Sequence, residues 1–403
     1  MPAAVPLLAP ADGLPPVVAD AAALAATARA MAAGTGPVAV DAERASGFRY
    51  SQRAYLVQLR RAGAGTALVD PIPLGSDLSA LAPALTGPEW VLHAASQDLA
   101  CLAEVGLVPS SLFDTELAGR LAGLPRVGLG PLVEQLLGLT LEKGHGAADW
   151  SRRPLPDDWL VYAALDVEVL VELRDVLAGL LESQGKLGFA REEFEAVRTA
   201  GPPAPRAEPW RRTSGIHKVR KPRALAVVRA LWEARDRLAA ERDVAPGRVL
   251  PDAAIIDAAT VAPGTPVALA ALPVFRGRAQ RRLTGYWFAA LAEAAALPAD
   301  ALPRATAAND GHPPTARWAD RDPAAAARLV AARAAVAALS AEWTIPAENL
   351  LQPEALRRLC WSPPADGDVA AALRAHGARD WQVGLVAPVL SDALRAAAAA
   401  SPD

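Results

Sequence analysis

Strand-forming segments crowd the first quarter of this chain, and helix-forming segments fill nearly everything after it. GPVAVDAE is a short apolar run that ends in acid, AYLVQLR alternates, and TALVD closes against Pro71. Short valine-rich runs of this kind read as strands. Three of them within residues 38–70 lie close enough together to predict an antiparallel meander. The pattern then gives a helix over 77–85, a short buried strand at WVLHA, and a helix over 96–105 with Ser96 as N-cap. Helices over 114–122 and 130–137 follow, then the loop EKGHGAADWSRRPLP, then one long helix over 157–183. Strands first and helices later describe an α/β domain over residues 1–200.

GPPAPRAEP reads as a linker, and with the charges after it makes a basic connection over 201–217. Beyond it the chain reads as nearly all helix, in two blocks over 218–300 and 316–400. RVLPDAAIIDAA in the first and NLLQPEALRRLCW in the second share one plan: an extended entry, a proline or capping residue, then a short helix. That echo points to two copies of one small bundle. A length of 403 residues suits two or three such domains.

Net charge is −3, so nucleic acid could be held only through local basic patches. Cys101 and Cys360 fall inside apolar helical patterns and read as buried thiols of a reducing compartment. No Cys/His pair has zinc-ligand spacing. The N-terminus lacks the basic start of a signal peptide, and no run of about 20 apolar residues free of proline and charge is seen. A cytoplasmic, membrane-free monomer is the expectation.

Three short motifs carry chemistry. Asp41 and Glu43 alternate on one strand, so both side chains project to one face, about 7 Å apart. Tyr162 and Asp166 are four residues apart on a helix and share its face. Asp98 falls in the first turns of the helix after WVLHA, with His93 at the strand end as a supporting, hydrogen-bonded residue. Alone, each has a plainer reading: solvated carboxylates at a strand end, or a core tyrosine. Together, four carboxylates aimed at one point are costly unless divalent cations neutralise them, which suits phosphoryl chemistry.

In this order the motifs resemble the DEDDy branch of the DnaQ-like exonucleases. HAASQDLACL, GLVPSSLFDTELAGRLAG and DWSRRPLPDDWLVYAALDVEVL are similar to the ribonuclease D family over roughly residues 38–181. KVRKPRALAVVRALWEARDRLAAERDVAPGRVLPDAAIIDAA resembles an HRDC domain, and the last block a second, divergent HRDC-like one whose lower basicity suits packing as well as RNA contact. The resemblance implies an RNase H-like α/β exonuclease domain followed by two helical HRDC-type bundles. It implies 3′→5′ hydrolysis of RNA that releases nucleoside 5′-monophosphates, with two cations, Mg²⁺ or Mn²⁺. Asp41 would bridge the cations, and Glu43 and Asp166 would complete the site of the attacking water. Asp98 would act through the second cation's water shell, and Tyr162 would orient the attacking water. The substrate would be the single-stranded 3′ end of structured precursors such as tRNA. A DNA-directed relative and a non-catalytic RNA-binding module are the alternatives.

Trp210, Arg211, Arg212, Lys218, Arg220, Lys221 and Arg223 form a candidate RNA surface, with Trp210 placed to stack on a base. Arg276, Arg278, Arg281 and Arg282 form a second basic cluster. Lys143, His145, Arg152 and Arg153 flank the third motif, and Arg49 and Arg53 follow the first; these are candidate phosphate contacts.

Overall fold

The computed structural model describes residues 4–142, 144–201, 204–305 and 311–399. The meander predicted from alternation is present. β3 (Thr35–Arg44), β4 (Ala54–Ala62) and β5 (Gly65–Val69) pair antiparallel in turn. Parallel partners extend it: β2 (Val17–Val18) on β5, β6 (Trp90–Leu92) on β3, and β7 (Leu112–Asp114) on β6. Among the described residues the mixed sheet runs β2-β5-β4-β3-β6-β7, and β1 (Val5–Leu7) pairs separately with β8 (Leu139–Leu141).

Alternation along β3 divides the core. Val38, Val40 and Ala42 face α1 (Ala21–Ala33), α2 (Ala82–Leu85) and α3 (Leu99–Glu104). Ala39, on the opposite face with Asp41 and Glu43, joins the core around α4 (Thr115–Leu121), α5 (Leu129–Leu137), α7 (Leu170–Ser183) and α8 (Leu187–Thr199). α6 (Asp157–Glu168) lies across β3, β4 and β5. The single helix expected over 157–183 is two, because Val169 ends α6 and starts α7. α6 then packs on the sheet and α7 against α4 and α5. Ser96 does not cap; the chain makes a tight 3₁₀ turn over Ala95–Gln97, and Asp98 takes the cap position without a side-chain bond.

The first helical block comprises α9 (Pro222–Arg242), α10 (Pro246–Val249), α11 (Asp252–Val261), α12 (Pro266–Ala270), α13 (Arg278–Arg281) and α14 (Thr284–Ala296). The second comprises α15 (Trp318–Arg321), α16 (Pro323–Trp343), α17 (Ala347–Leu350), α18 (Pro353–Trp361), α19 (Val369–Ala375) and α20 (Asp380–Ala399). The echo seen in sequence has a structural counterpart. α9 and α16 are both 21 residues long, and both end on a left-handed residue, Asp243 or Thr344. Each is followed by a 4-residue helix and then by α11 or α18. By length and composition alone α16 could cross a membrane, although Pro323, Arg328, Arg333 and Glu342 keep it from being a run free of proline and charge. Its Ala325, Leu329, Ala332, Val336 and Leu339 are instead buried against the rest of the bundle, and it packs on α18 and α20.

The two bundles join the α/β domain differently. The first has its own core, around Leu231, Ile255, Phe275 and Trp287. It grips the β3–β4 loop. Asp243 accepts from the Ser51 N–H and pairs with Arg53, Ala245 N–H donates to the Phe48 carbonyl at 2.9 Å, and Arg248 donates to the Gly47 carbonyl at 2.8 Å. The second bundle shares one continuous core with α4, α5, α7 and α8. At that joint Trp381 stacks on Phe189, with ring centroids 4.8 Å apart, and its indole N–H donates to buried Glu193, which also pairs with Arg379.

Candidate active site

Asp41, Glu43, Asp98, Tyr162 and Asp166, from three segments of the chain, line one cavity of about 350 Å³, and His93 joins them. β3 supplies the first pair and α6 the last, each by the local periodicity its spacing encodes. Asp98 depends on a longer connection. The left-handed Ala94 and the turn after it are held by Asp114, whose carboxylate accepts from the Ala94 and Ala95 N–H groups at 3.1 and 2.8 Å. The same carboxylate caps α4 through the Glu116 and Leu117 N–H groups. Free of any capping bond, the Asp98 side chain is left to face the cavity.

Carboxylate oxygens of Asp41, Glu43 and Asp166 lie within 4.8 Å of one another. Burial raises their pKa values, and at Glu43 and Asp166 the neighbouring acids add to it. Asp41 is pushed up to about 6, chiefly by burial. Glu43 rises to about 10 through burial and the charges of Asp41, Asp166 and Asp98, and Asp98 to about 8 through burial and Asp41. Asp166 is raised well above the usual carboxylate range by burial and Asp41, while the Tyr162 hydroxyl beside it favours its charged form. Four carboxyls that cannot all ionise in each other's company, with oxygen donors converging this closely, fit a hard divalent cation, which would restore the charged forms. Burial and the neighbouring acids hold the Tyr162 phenol above its ordinary value, so it stays protonated.

The His93 Nδ1 lies 2.9 Å from the Thr115 hydroxyl, and burial lowers its pKa to about 4. Two neighbours escaped notice in the sequence. Asp114 read only as a helix start. Arg44 places its guanidinium 3.5 Å from Asp98; it sits on the face of β3 opposite the Asp-x-Glu pair, and only the packing of α3 on that face brings Asp98 to it.

Several candidate RNA contacts are committed elsewhere. Trp210 is 3% exposed in the core of the first bundle, so it cannot stack on a base. Arg211 lies over that ring at 4.2 Å and pairs with Glu208. Arg223 donates to carbonyls at the end of α14. Arg153 forks onto buried Asp70 at 2.6 and 2.7 Å and also binds the Tyr55 and Trp150 carbonyls. Arg53 pairs with Asp243, and Arg49 donates to Ser151. The His145 ring stands edge-on to Tyr162, with centroids 5.6 Å apart. Lys143 lies outside the described residues. Arg212, Lys218, Arg220 and Lys221 remain exposed on one stretch.

Residues 16–182 match a family model described as 3′-5′ exonuclease, and 224–291 match the HRDC domain. Residues 311–394 match a separate model, the 3′ to 5′ exonuclease C-terminal domain. The chain is 33% identical over 338 residues to ribonuclease D of Gluconacetobacter diazotrophicus, covering 82% of each sequence. Among solved structures it is similar to a protein from Bifidobacterium adolescentis, at 38% identity and a TM-score of 0.90, over 97% of this chain and 100% of that one. It is also similar to Escherichia coli RNase D, an exoribonuclease involved in structured RNA processing, at 27% identity and a TM-score of 0.69, over 94% and 98% of the two chains.

Proposed function

The chain belongs to the ribonuclease D family and is a 3′→5′ exoribonuclease, and from that premise we propose that it trims the 3′ ends of structured RNA precursors such as tRNA, releasing nucleoside 5′-monophosphates. The observation that carries this reading is the convergence of Asp41, Glu43, Asp98, Tyr162 and Asp166 on one cavity. Asp41, Glu43 and Asp166 would hold one divalent cation, with Asp41 and Asp98 serving a second; all-oxygen donors favour Mg²⁺ or Mn²⁺. When bound, such cations supply positive charge against the charge that develops on the entering and leaving oxygens. The chain's own residues do the rest. Because its phenol stays protonated, Tyr162 orients the attacking water and does not remove its proton. His93, neutral above about pH 4, braces the wall through Thr115.

Residues 1–200 form the exonuclease domain in this reading, 201–217 the connection, and 218–300 the HRDC bundle. Residues 316–400 form a second HRDC-like bundle, supported by the matched lengths and left-handed caps of α9 and α16. The protein acts as a cytoplasmic monomer. Arg212, Lys218, Arg220 and Lys221 would track the RNA backbone; replacing all four with alanine is expected to weaken RNA binding and flatten its salt dependence, and an unchanged slope would remove them.

The deciding experiment incubates the protein with end-labelled single-stranded RNA and matched DNA, in Mn²⁺ or in EDTA. Stepwise shortening of RNA from its 3′ end, abolished by EDTA and by Asp41→Ala, is expected. Metal-independent cleavage would overturn the mechanism, and equal rates on DNA the substrate class.

A further inference from the structure

Arg44 follows the Asp-x-Glu pair directly, and strand alternation turns it to the opposite face, with Val38, Val40 and Ala42. That is the face on which α3 packs, and Asp98 stands at the N-terminus of α3. The register slip beside it, from Glu43–Leu56 to Arg44–Ala54, puts the extra residue, Tyr55, on β4 and leaves the alternation of β3 intact. The Arg44 guanidinium reaches to 3.5 Å from Asp98. Among the described residues, this is the one ion pair that reaches any of the four carboxylates. Arg44 also lines a second cavity of about 250 Å³, which shares Ala42, Glu43 and Gly146 with the acidic one. The guanidinium therefore stands between the acids and a continuing cleft.

Resting on the reading of this cavity as the nuclease site, we propose that Arg44 is a positioning residue that holds Asp98 as a stand-in cation while no metal is bound, and yields that carboxylate to an arriving divalent cation so that its guanidinium can meet a substrate phosphate in the adjoining cleft. The pair is built to be exchanged. It is a single contact at 3.5 Å, whereas the structural Arg153–Asp70 pair is a fork at 2.6 and 2.7 Å. A divalent cation would bring twice the charge of the guanidinium, and carboxylate oxygens, directly or through bound water, are the donors such ions favour, so it would outcompete Arg44 for Asp98. The freed guanidinium is planar and always charged, a good match for phosphate oxygens. Because arginine and metal compete for one carboxylate, weakening either must strengthen the hold of the other.

The test uses the full-length protein with Arg44→Gln and Arg44→Lys. Mn²⁺ affinity is measured by calorimetry without RNA, and KM and kcat on single-stranded RNA separately. Arg44→Gln is expected to bind Mn²⁺ about three- to tenfold more tightly, while its KM for RNA rises about tenfold with a smaller change in kcat. A merely structural role would not move the two affinities in opposite directions. Mn²⁺ binding that is unchanged or weaker in folded Arg44→Gln overturns the stand-in role, and an unchanged KM overturns the phosphate contact. Should Arg44→Gln fail to fold, Arg44→Lys decides, with a raised KM and tighter Mn²⁺ expected and wild-type values for both refuting the idea. Metal-independent cleavage by the wild type would instead sink the nuclease reading, which the RNA-free Mn²⁺ measurement does not share.

Discussion

At the scale of single residues, the acidic cavity stores a cost that metal relieves. Asp41 and Asp98 titrate from 3.8 up to about 6 and about 8. A carboxyl whose pKa rises on folding favours the folded state only while protonated. That contribution is whole below about pH 4 and is lost as pH climbs through 6 and then 8. The metal-free protein is therefore expected to lose thermal stability from pH 4 to 8, with Mn²⁺ restoring it at the upper end and Asp98→Asn raising the melting temperature in EDTA at pH 8; calorimetry across that range checks it, and a flat profile would refute it. Tyr162→Phe should lower kcat about 100-fold while leaving Mn²⁺ affinity and melting temperature near wild type, a split visible in paired kinetics and calorimetry. That Asp41 and Glu43 share one face, and Tyr162 and Asp166 another, was legible in the sequence because periods of two and four residues are local geometry; that the pairs belong with Asp98 to one site came from the order of the motifs and the family they resemble. Trp210 and Arg153 were not. A tryptophan among arginines looks the same whether a bundle has buried it or not, and the Asp70 partner of Arg153 lies 83 residues away.

At the scale of elements, the strongest period-two runs became the central strands, while the edges of that sheet and the separate β1–β8 pair went unread. β1, β2, β7 and β8 are two or three residues each, too short to show a period, and exist because partners far along the chain pair with them. The turn that aims Asp98 is likewise made by contact, through the four N–H groups that Asp114 accepts. Asp114→Ala should cost about 3 kcal/mol of stability, from a lost cap and stranded buried donors. It should also weaken Mn²⁺ binding, whereas substitution of exposed Glu104 at the far end of α3 should do neither. Chemical denaturation and calorimetry on the two variants separate these effects. The interruption at Val169 shows the opposite limit: composition continues smoothly through it, and only the change of packing partner from sheet to helices reveals it.

At the scale of the whole molecule, three sequence blocks resolve into two packing units. The first and last share a core; the middle one keeps its own and touches the nuclease through the β3–β4 loop. Trp381→Ala removes a large buried ring and the indole N–H that donates to Glu193, leaving it the Arg379 pair alone, so a loss of about 3–5 kcal/mol is expected. Hydrogen exchange should show that loss in α4, α7, α8 and α16–α20 together, with residues 210–297 nearly unchanged; equal loosening everywhere would contradict the division. The shared core has a further consequence for synthesis. A ribosome releases the nuclease half first, yet its α4–α8 face has no cover until the final bundle emerges about 200 residues later, a wait of roughly 10–40 s at 5–20 residues per second. The middle bundle, complete by Leu302, finishes before the domain that precedes it, so the nascent chain carries an open apolar face past a folded neighbour and depends on its last helices, or on a chaperone, to close it.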